Sequence, residues 1–237
     1  MKARIRRIAI MAGIKPGMQD KCRDLCARPV PGMLEAMKAA CLHNSSIYLK
    51  KIADPDQFIL FGYAEYGGGN YQEDMARLSL HPVYIQWRKD CDTCLAADSS
   101  NQPWIELEPL FFTMGAADIA SASPRCARIG MITGLKGEME MEYRALHASV
   151  WPGVLQGIKD NNLWNYSIYL GEIGGKLYLL SYQEYVGADK AADDTRSRDL
   201  KINQRWWKLT DVCQEPLPDA AALKRIWSGM DEIYHHD

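Results

Sequence analysis

The chain has no run of about eighteen apolar residues, the length a helix needs to cross a bilayer, so a transmembrane helix is not expected. It also lacks an excess of either charge. Its 28 Lys and Arg stand against 30 Asp and Glu, for a net charge of −2. Nothing in that balance suggests nucleic acid or an anionic membrane as a partner. A disulfide framework is missing too: the seven cysteines are odd in number and placed differently in the two halves of the chain. That pattern excludes the stapled scaffold of a small secreted domain and points to a reducing, cytoplasmic setting. The N-terminal segment MKARIRRIAIMAGI is basic and then apolar, but Gly13, Lys15 and Pro16 cut the apolar run short. It reads as a first β-strand rather than a signal peptide, so the Asn44 and Asn165 sequons are expected to be fortuitous. Phenylalanine is scarce, with four copies against seven Trp and twelve Tyr. Those two residues combine a flat apolar face with a polar handle, which suits core packing and also suits carbohydrate.

What is present, above all, is a repeat. RRIAIMAGIKPGM at residues 6–18 parallels ARIGMITGLKGEM at 127–139, and Ile8 pairs with Ile129 at an offset of 121. The same offset aligns Pro31-Gly32 with Pro152-Gly153, and the run Asn44–Leu49 with Asn165–Leu170. After a two-residue deletion near Asp54 the offset is 119, which aligns Glu65-Tyr66 with Glu184-Tyr185, Trp87 with Trp206 and Cys94 with Cys213. So long a period means two domains rather than a solenoid. Residues 1–114 and 125–237 are the expected domains, and 115–124, rich in small and polar residues, the expected linker.

Each copy divides alike. An apolar run over 5–14 or 126–135 predicts a strand. Apolar residues at helical spacing follow, broken by Pro31 or Pro152. Two strands come next, 46–51 with 58–66 and 167–172 with 177–185, the second pair joined by the hairpin signal Gly174-Gly175. A Trp-bearing helix (71–95; 189–212) and a last strand (105–113; 230–236) complete the order βαββαβ. The fold class is therefore α+β, two tandem ferredoxin-like domains. One such sheet leaves a face to cover, so an intramolecular pseudo-dimer is expected, and a monomeric chain would suffice.

The second copy concentrates chemistry-bearing residues. Tyr143 and His147 lie four apart and share a helix face. Trp151-Pro152 follows, then Asn165-Tyr166-Ser167-Ile168-Tyr169-Leu170, then Gln204-Arg205-Trp206-Trp207. Adjacent tryptophans on a helix point about 100° apart, so one of Trp206 and Trp207 is expected in the core and one in a site. Tyr169 matches Tyr48 and is expected to be structural, and Arg205 is either a surface ion pair or a hydroxyl ligand.

These four pieces, in this order, resemble the L-rhamnose mutarotase family, over most of 126–236 and more loosely over 5–113. The resemblance implies a dimeric α+β barrel that interconverts the α and β anomers of L-rhamnose or a related pyranose, without a cofactor and without a metal. It implies His147 as the proton donor, and Tyr143, Tyr166, Trp206 and Trp207 as the residues that bind the monosaccharide. The chemistry suits them: a histidine gives and takes protons near neutral pH, and indoles cover the C–H face of a pyranose. Two other classes share the βαββαβ plan or the aromatic bias. One is a haem-binding or cofactor-independent monooxygenase-like barrel, the other a non-catalytic sugar-binding module; fold alone does not choose among them.

The first copy serves as an internal control. It has Cys22 and Cys26 for Tyr143 and His147, Val30 for Trp151, Ser45 for Tyr166 and Arg88 for Trp207, while Trp87 matches Trp206. Rhamnose catalysis is not expected there. If its helices pack side by side, Cys22, Cys26, Cys91 and Cys94 would approach one another, as a zinc site or as small thiols filling a vacated pocket. The four-residue spacing of Cys22 and Cys26 is not that of a zinc knuckle, which favours packing.

Overall fold

The computed structural model describes residues 5–53, 57–97, 102–116 and 126–237. Most of the expected linker, 117–124, lies outside these. The chain forms two compact units, residues 1–107 with 231–237, and residues 108–230. No helix among the described residues is long and apolar enough to cross a membrane.

Unit 1 is built from β1 (Arg6–Ile14), α1 (Gln19–Ala27), α2 (Met33–Ala39), β2 (Leu42–Ala53), β3 (Gln57–Tyr66), α3 (Tyr71–Ser79), α4 (Pro82–Asp92) and β4 (Ile105–Glu106). Unit 2 opens with β5 (Glu108–Gly115) and β6 (Ala127–Leu135), then α5 (Glu140–Ala148), α6 (Pro152–Asp160), β7 (Leu163–Ile173) and β8 (Lys176–Tyr185). It continues with α7 (Lys190–Asp199), α8 (Lys201–Thr210), β9 (Gln214–Glu215), α9 (Pro218–Ala222) and β10 (Ser228–Gly229). The last strand, β11 (Asp231–His236), returns to unit 1.

The sheet of unit 1 runs β11-β2-β3-β1-β4, and that of unit 2 β5-β7-β8-β6-β10, antiparallel throughout, with β9 also on β6. The two have the same register. Ile8 faces Ala64 as Ile129 faces Gln183, and Met11 faces Ile105 as Ile132 faces Ser228. Asp231 pairs with Leu49 as Glu108 pairs with Leu170, and each edge pairing shifts at the matching place, between Glu232 and Tyr234 or Pro109 and Phe111.

Two expectations need correcting. The last strand of each repeat does not close its own sheet: β5 completes unit 2 and β11 completes unit 1. Alternation specifies a strand and its buried face but not which edge it joins. Within each repeat that place is taken by two-residue strands, β4 beside β1, and β9 and β10 beside β6. The Trp-bearing helix is also two helices in each unit. Pro82 starts α4 at its first position, and Leu200, extended at φ −66° and ψ 116°, separates α7 from α8. The split at the earlier prolines was legible: α1 ends at Ala27, before Pro31, and Pro152 opens α6.

The β7–β8 hairpin turns on Gly174 and Gly175 at φ +61° and +77°, the paired positive values that a two-residue turn requires. More consequential is a bulge in β7, where Asn165 and Tyr166 together oppose Gln183, with Asn165 at φ +48°. Asn44 repeats it in β2 at φ +45°. Asn165 is held by its Nδ2, which donates to Glu184 Oε1 at 2.9 Å; the Tyr182 hydroxyl donates to the same oxygen at 2.8 Å. Unit 1 carries the same network, with Asn44 and Tyr63 donating to Glu65. The Asn of each repeated motif is therefore structural, and in unit 2 the bulge it fixes presents Tyr166.

Candidate active site

His147 sits at the end of α5, buried, one turn after Tyr143. Its Nδ1 lies 3.0 Å from the Tyr143 carbonyl. A carbonyl oxygen only accepts, so Nδ1 carries the hydrogen, and in the neutral ring Nε2 is left as the acceptor. Three aromatic rings hold the imidazole. Tyr143 stacks on it at 4.1 Å and 25°, and Phe111 and Trp206 meet it edge-on at 5.9 and 5.5 Å. Burial lowers the His147 pKa below the usual 6.5, so at neutral pH the ring is an uncharged base. Burial also raises the Tyr166 pKa to about 12; burial first, and then the neighbouring Tyr166, push Tyr143 well above 10. Both hydroxyls stay protonated and available as neutral donors.

A cavity of about 390 Å³, within the usual range of small-ligand pockets, is lined by Tyr143, His147, Tyr166, Trp206 and Trp207, all five residues singled out from the sequence. Asp211, Gln214, Lys224, Arg225 and Trp227 lie on the same wall. A second chamber of about 180 Å³ shares His147, Tyr166, Trp206 and Trp207 and adds Phe111. Trp206 and Trp207 thus both reach the cavities. Trp206 is buried, with Trp151 edge-on at 5.4 Å. The Arg205 guanidinium lies over the Trp151 ring, 5.7 Å from the centroid. Tyr169 is buried in the sheet, as expected.

Phe111 escaped the sequence analysis because it belongs to the end of the first repeat, outside the motif-bearing copy. On β5 it packs edge-on against both His147 and Tyr166, 5.7 Å from the latter. The strand is latched to the helix that carries His147: Arg144 Nη1 and Nη2 donate to the two Glu108 oxygens at 2.6 and 2.7 Å. The only sequence signal for this was the duplication itself, since Arg23 and Asp231 make the matching bond in unit 1 at 3.2 Å.

Unit 1 has a cavity at the matching place with different lining. A space of about 220 Å³ is lined by Cys26 at the place of His147, by Ser45 at that of Tyr166, and by Trp87, Arg88, Trp104 and Tyr234. Cys22, Cys26, Cys91 and Cys94 are buried as free thiols in one apolar cluster with Ala12, Leu49 and Leu60. Among the described residues no group of three or more metal-ligating side chains is assembled.

Comparison with known proteins places these features. The sequence profile of the L-rhamnose mutarotase family matches the chain twice, over residues 7–113 and 128–236. The L-rhamnose mutarotase of Lactiplantibacillus plantarum is 24% identical over 110 residues, covering 46% of this chain and 98% of that protein. That of Bacillus subtilis is 33% identical over 90 residues, covering 36% of this chain and 82% of that protein. Among solved structures, a candidate monooxygenase from Lactobacillus acidophilus superposes with a TM-score of 0.53 at 8% identity, over 97% of this chain and 95% of that one. At that identity the likeness is one of fold alone.

Proposed function

Because the chain belongs to the L-rhamnose mutarotase family, we propose that unit 2 interconverts the α and β anomers of L-rhamnose or a closely related pyranose, with His147 moving the proton. The observation that carries this reading is the state of His147. It is buried and uncharged, its Nδ1 hydrogen is committed to the Tyr143 carbonyl, and its Nε2 lone pair remains available in a cavity walled by aromatic rings.

The chemistry follows from that state. Nε2 takes the proton of the anomeric hydroxyl. As the O1–C1 bond becomes a carbonyl, the C1–O5 bond breaks and its electron pair stays on the ring oxygen. O1 and O5 are bonded to the same carbon, so one imidazolium can return the proton to O5. Rotation about C1–C2 and the reverse sequence give the other anomer, with no change in oxidation state. Trp206 and Trp207 supply flat faces for the C–H surface of the sugar, and the Tyr143 and Tyr166 hydroxyls donate to its oxygens. The fold-level likeness to monooxygenase-like proteins lends no support to oxygen chemistry here.

Saturation-transfer NMR of the anomeric protons tests this directly. L-rhamnose should show anomer exchange above the buffer rate in proportion to added protein. Sugar that binds without exchanging would make the chain a binding module. No binding and no exchange across a pyranose panel would remove sugar chemistry altogether.

A further inference from the structure

The chamber behind His147 holds more polar groups than the proposed proton transfer needs. Asn161, Gln183 and Asn203 line it, and all three are more than nine-tenths buried. Asn161 ends α6, and its Oδ1 is buried without a hydrogen-bond partner. Gln183 stands opposite the β7 bulge, and its Nε2 donates to the Met131 thioether at 3.5 Å, a weak acceptor. Asn203 spends its Nδ2 on the Ser197 carbonyl and hydroxyl at 3.1 and 3.0 Å, which orients its amide at the chamber wall. A buried amide without a partner costs stability, so a native fold keeps one where something else completes it.

Unit 1 shows that the fold does not require them. At the matching positions it has Ala40, Ala64 and Tyr84, and Leu78 in place of Ser197. The amides occur only where His147 occurs. Beside the amides and the aromatic rings, Val150, Val154, Ile158 and Leu163 give the chamber aliphatic lining. Amide acceptors and donors beside an aliphatic wall match one edge of a deoxy-sugar, whose ring hydroxyls both donate and accept and whose methyl needs an apolar seat.

Resting on the mutarotase reading of this site, we propose that Asn161, Gln183 and Asn203 form a hydroxyl-reading arc that sets which pyranose unit 2 accepts, with the aliphatic wall favouring a 6-methyl over a 6-hydroxymethyl group. These are specificity residues; the proton transfer stays with His147.

The test uses the full chain with Asn161→Ala and Gln183→Ala, which install the residues of unit 1, and follows both binding and anomer exchange by NMR. The sugars are L-rhamnose, L-mannose (its 6-hydroxy counterpart) and hydroxyl epimers of L-rhamnose. Each variant should melt as a folded protein, keep its exchange rate at saturating sugar within about threefold, and raise KM about tenfold, the loss expected for one buried hydrogen bond. Its discrimination among epimers should shrink with it, and the wild type should prefer L-rhamnose to L-mannose. Unchanged KM and unchanged epimer ranking in both variants, with a wild type that exchanges L-rhamnose, would overturn the arc and leave the mutarotase reading intact. A wild type that binds L-rhamnose without exchanging it, and loses binding in the variants, would overturn that reading and keep the arc. No binding of any sugar would overturn both.

Discussion

Cys26 and His147 occupy matching places in two units whose sheets have the same register, Cys26 on the helix after β1 and His147 on the helix after β6, and each unit carries a bulge pinned by an Asn and a Glu. Around one of them the cavity is lined by Ser45 and Ala64. Around the other stand Tyr166, Asn161 and Gln183. What both units keep is what the fold needs: the bulge, the Glu with its Tyr and Asn donors, and the Arg–carboxylate latch on the last strand. Among the groups that face the unit 2 cavity, His147, Tyr166 and Gln183 are replaced in unit 1 by Cys26, Ser45 and Ala64. The difference separates the structural from the chemical residues within one chain.

The comparison can be broken at several levels. The largest effect is expected at Glu184, whose carboxyl oxygen accepts from Asn165 and Tyr182 in the core. Glu184→Ala leaves buried donors without a partner. It should cost about 3 kcal/mol or more, lower the melting temperature and abolish exchange by releasing the bulge that presents Tyr166. Phe111→Ala comes next. It should reduce kcat/KM about tenfold, as His147 and Tyr166 lose a shared packing partner, while Tyr234→Ala at the matching place in unit 1 leaves exchange unchanged; steady-state exchange rates across a sugar titration compare the two.

The pH profile is a smaller and graded effect. Burial holds the folded-state pKa of His147 below 6.5, so the ring is a neutral base through neutrality. Exchange should therefore be flat above about pH 6.5 and fall only at lower pH, as the imidazole protonates. The unfolded chain binds that proton more readily, so the contribution to stability is present above 6.5 and is lost as pH falls through the unfolded and then the folded pKa. An acid limb centred above 6.5 would contradict the buried, uncharged imidazole. The smallest effect on function is expected from Cys26→Ser. It places a hydroxyl among buried thiols and should lower stability by about 1–2 kcal/mol, with exchange and metal content unchanged; thermal melts and elemental analysis read both.

Much of this was legible in the chain because the repeat supplied its own alignment. The strand–helix order and the hairpin at Gly174-Gly175 follow from spacing and turn chemistry, and the grouping of Tyr143, His147, Tyr166, Trp206 and Trp207 from the family resemblance that their motifs carry. Phe111 did not, because which sheet edge a terminal strand joins is a tertiary choice that alternation does not encode. The arc of Asn161, Gln183 and Asn203 was hidden for another reason. Its members come from a helix end, a central strand and a different helix, and only packing brings them to one wall. Asn165 was legible as a repeated residue but not as the pin of a bulge, since its positive φ becomes visible only in the backbone.

The central claim is that one unit reacts and the other does not. Anomer exchange of L-rhamnose by NMR, measured side by side on His147→Ala and Cys26→Ala at matched concentrations of folded protein, tests it most directly. The account predicts a loss of about a hundredfold or more for His147→Ala and wild-type exchange for Cys26→Ala. Exchange that survives in the first variant, or fails in the second, would contradict it.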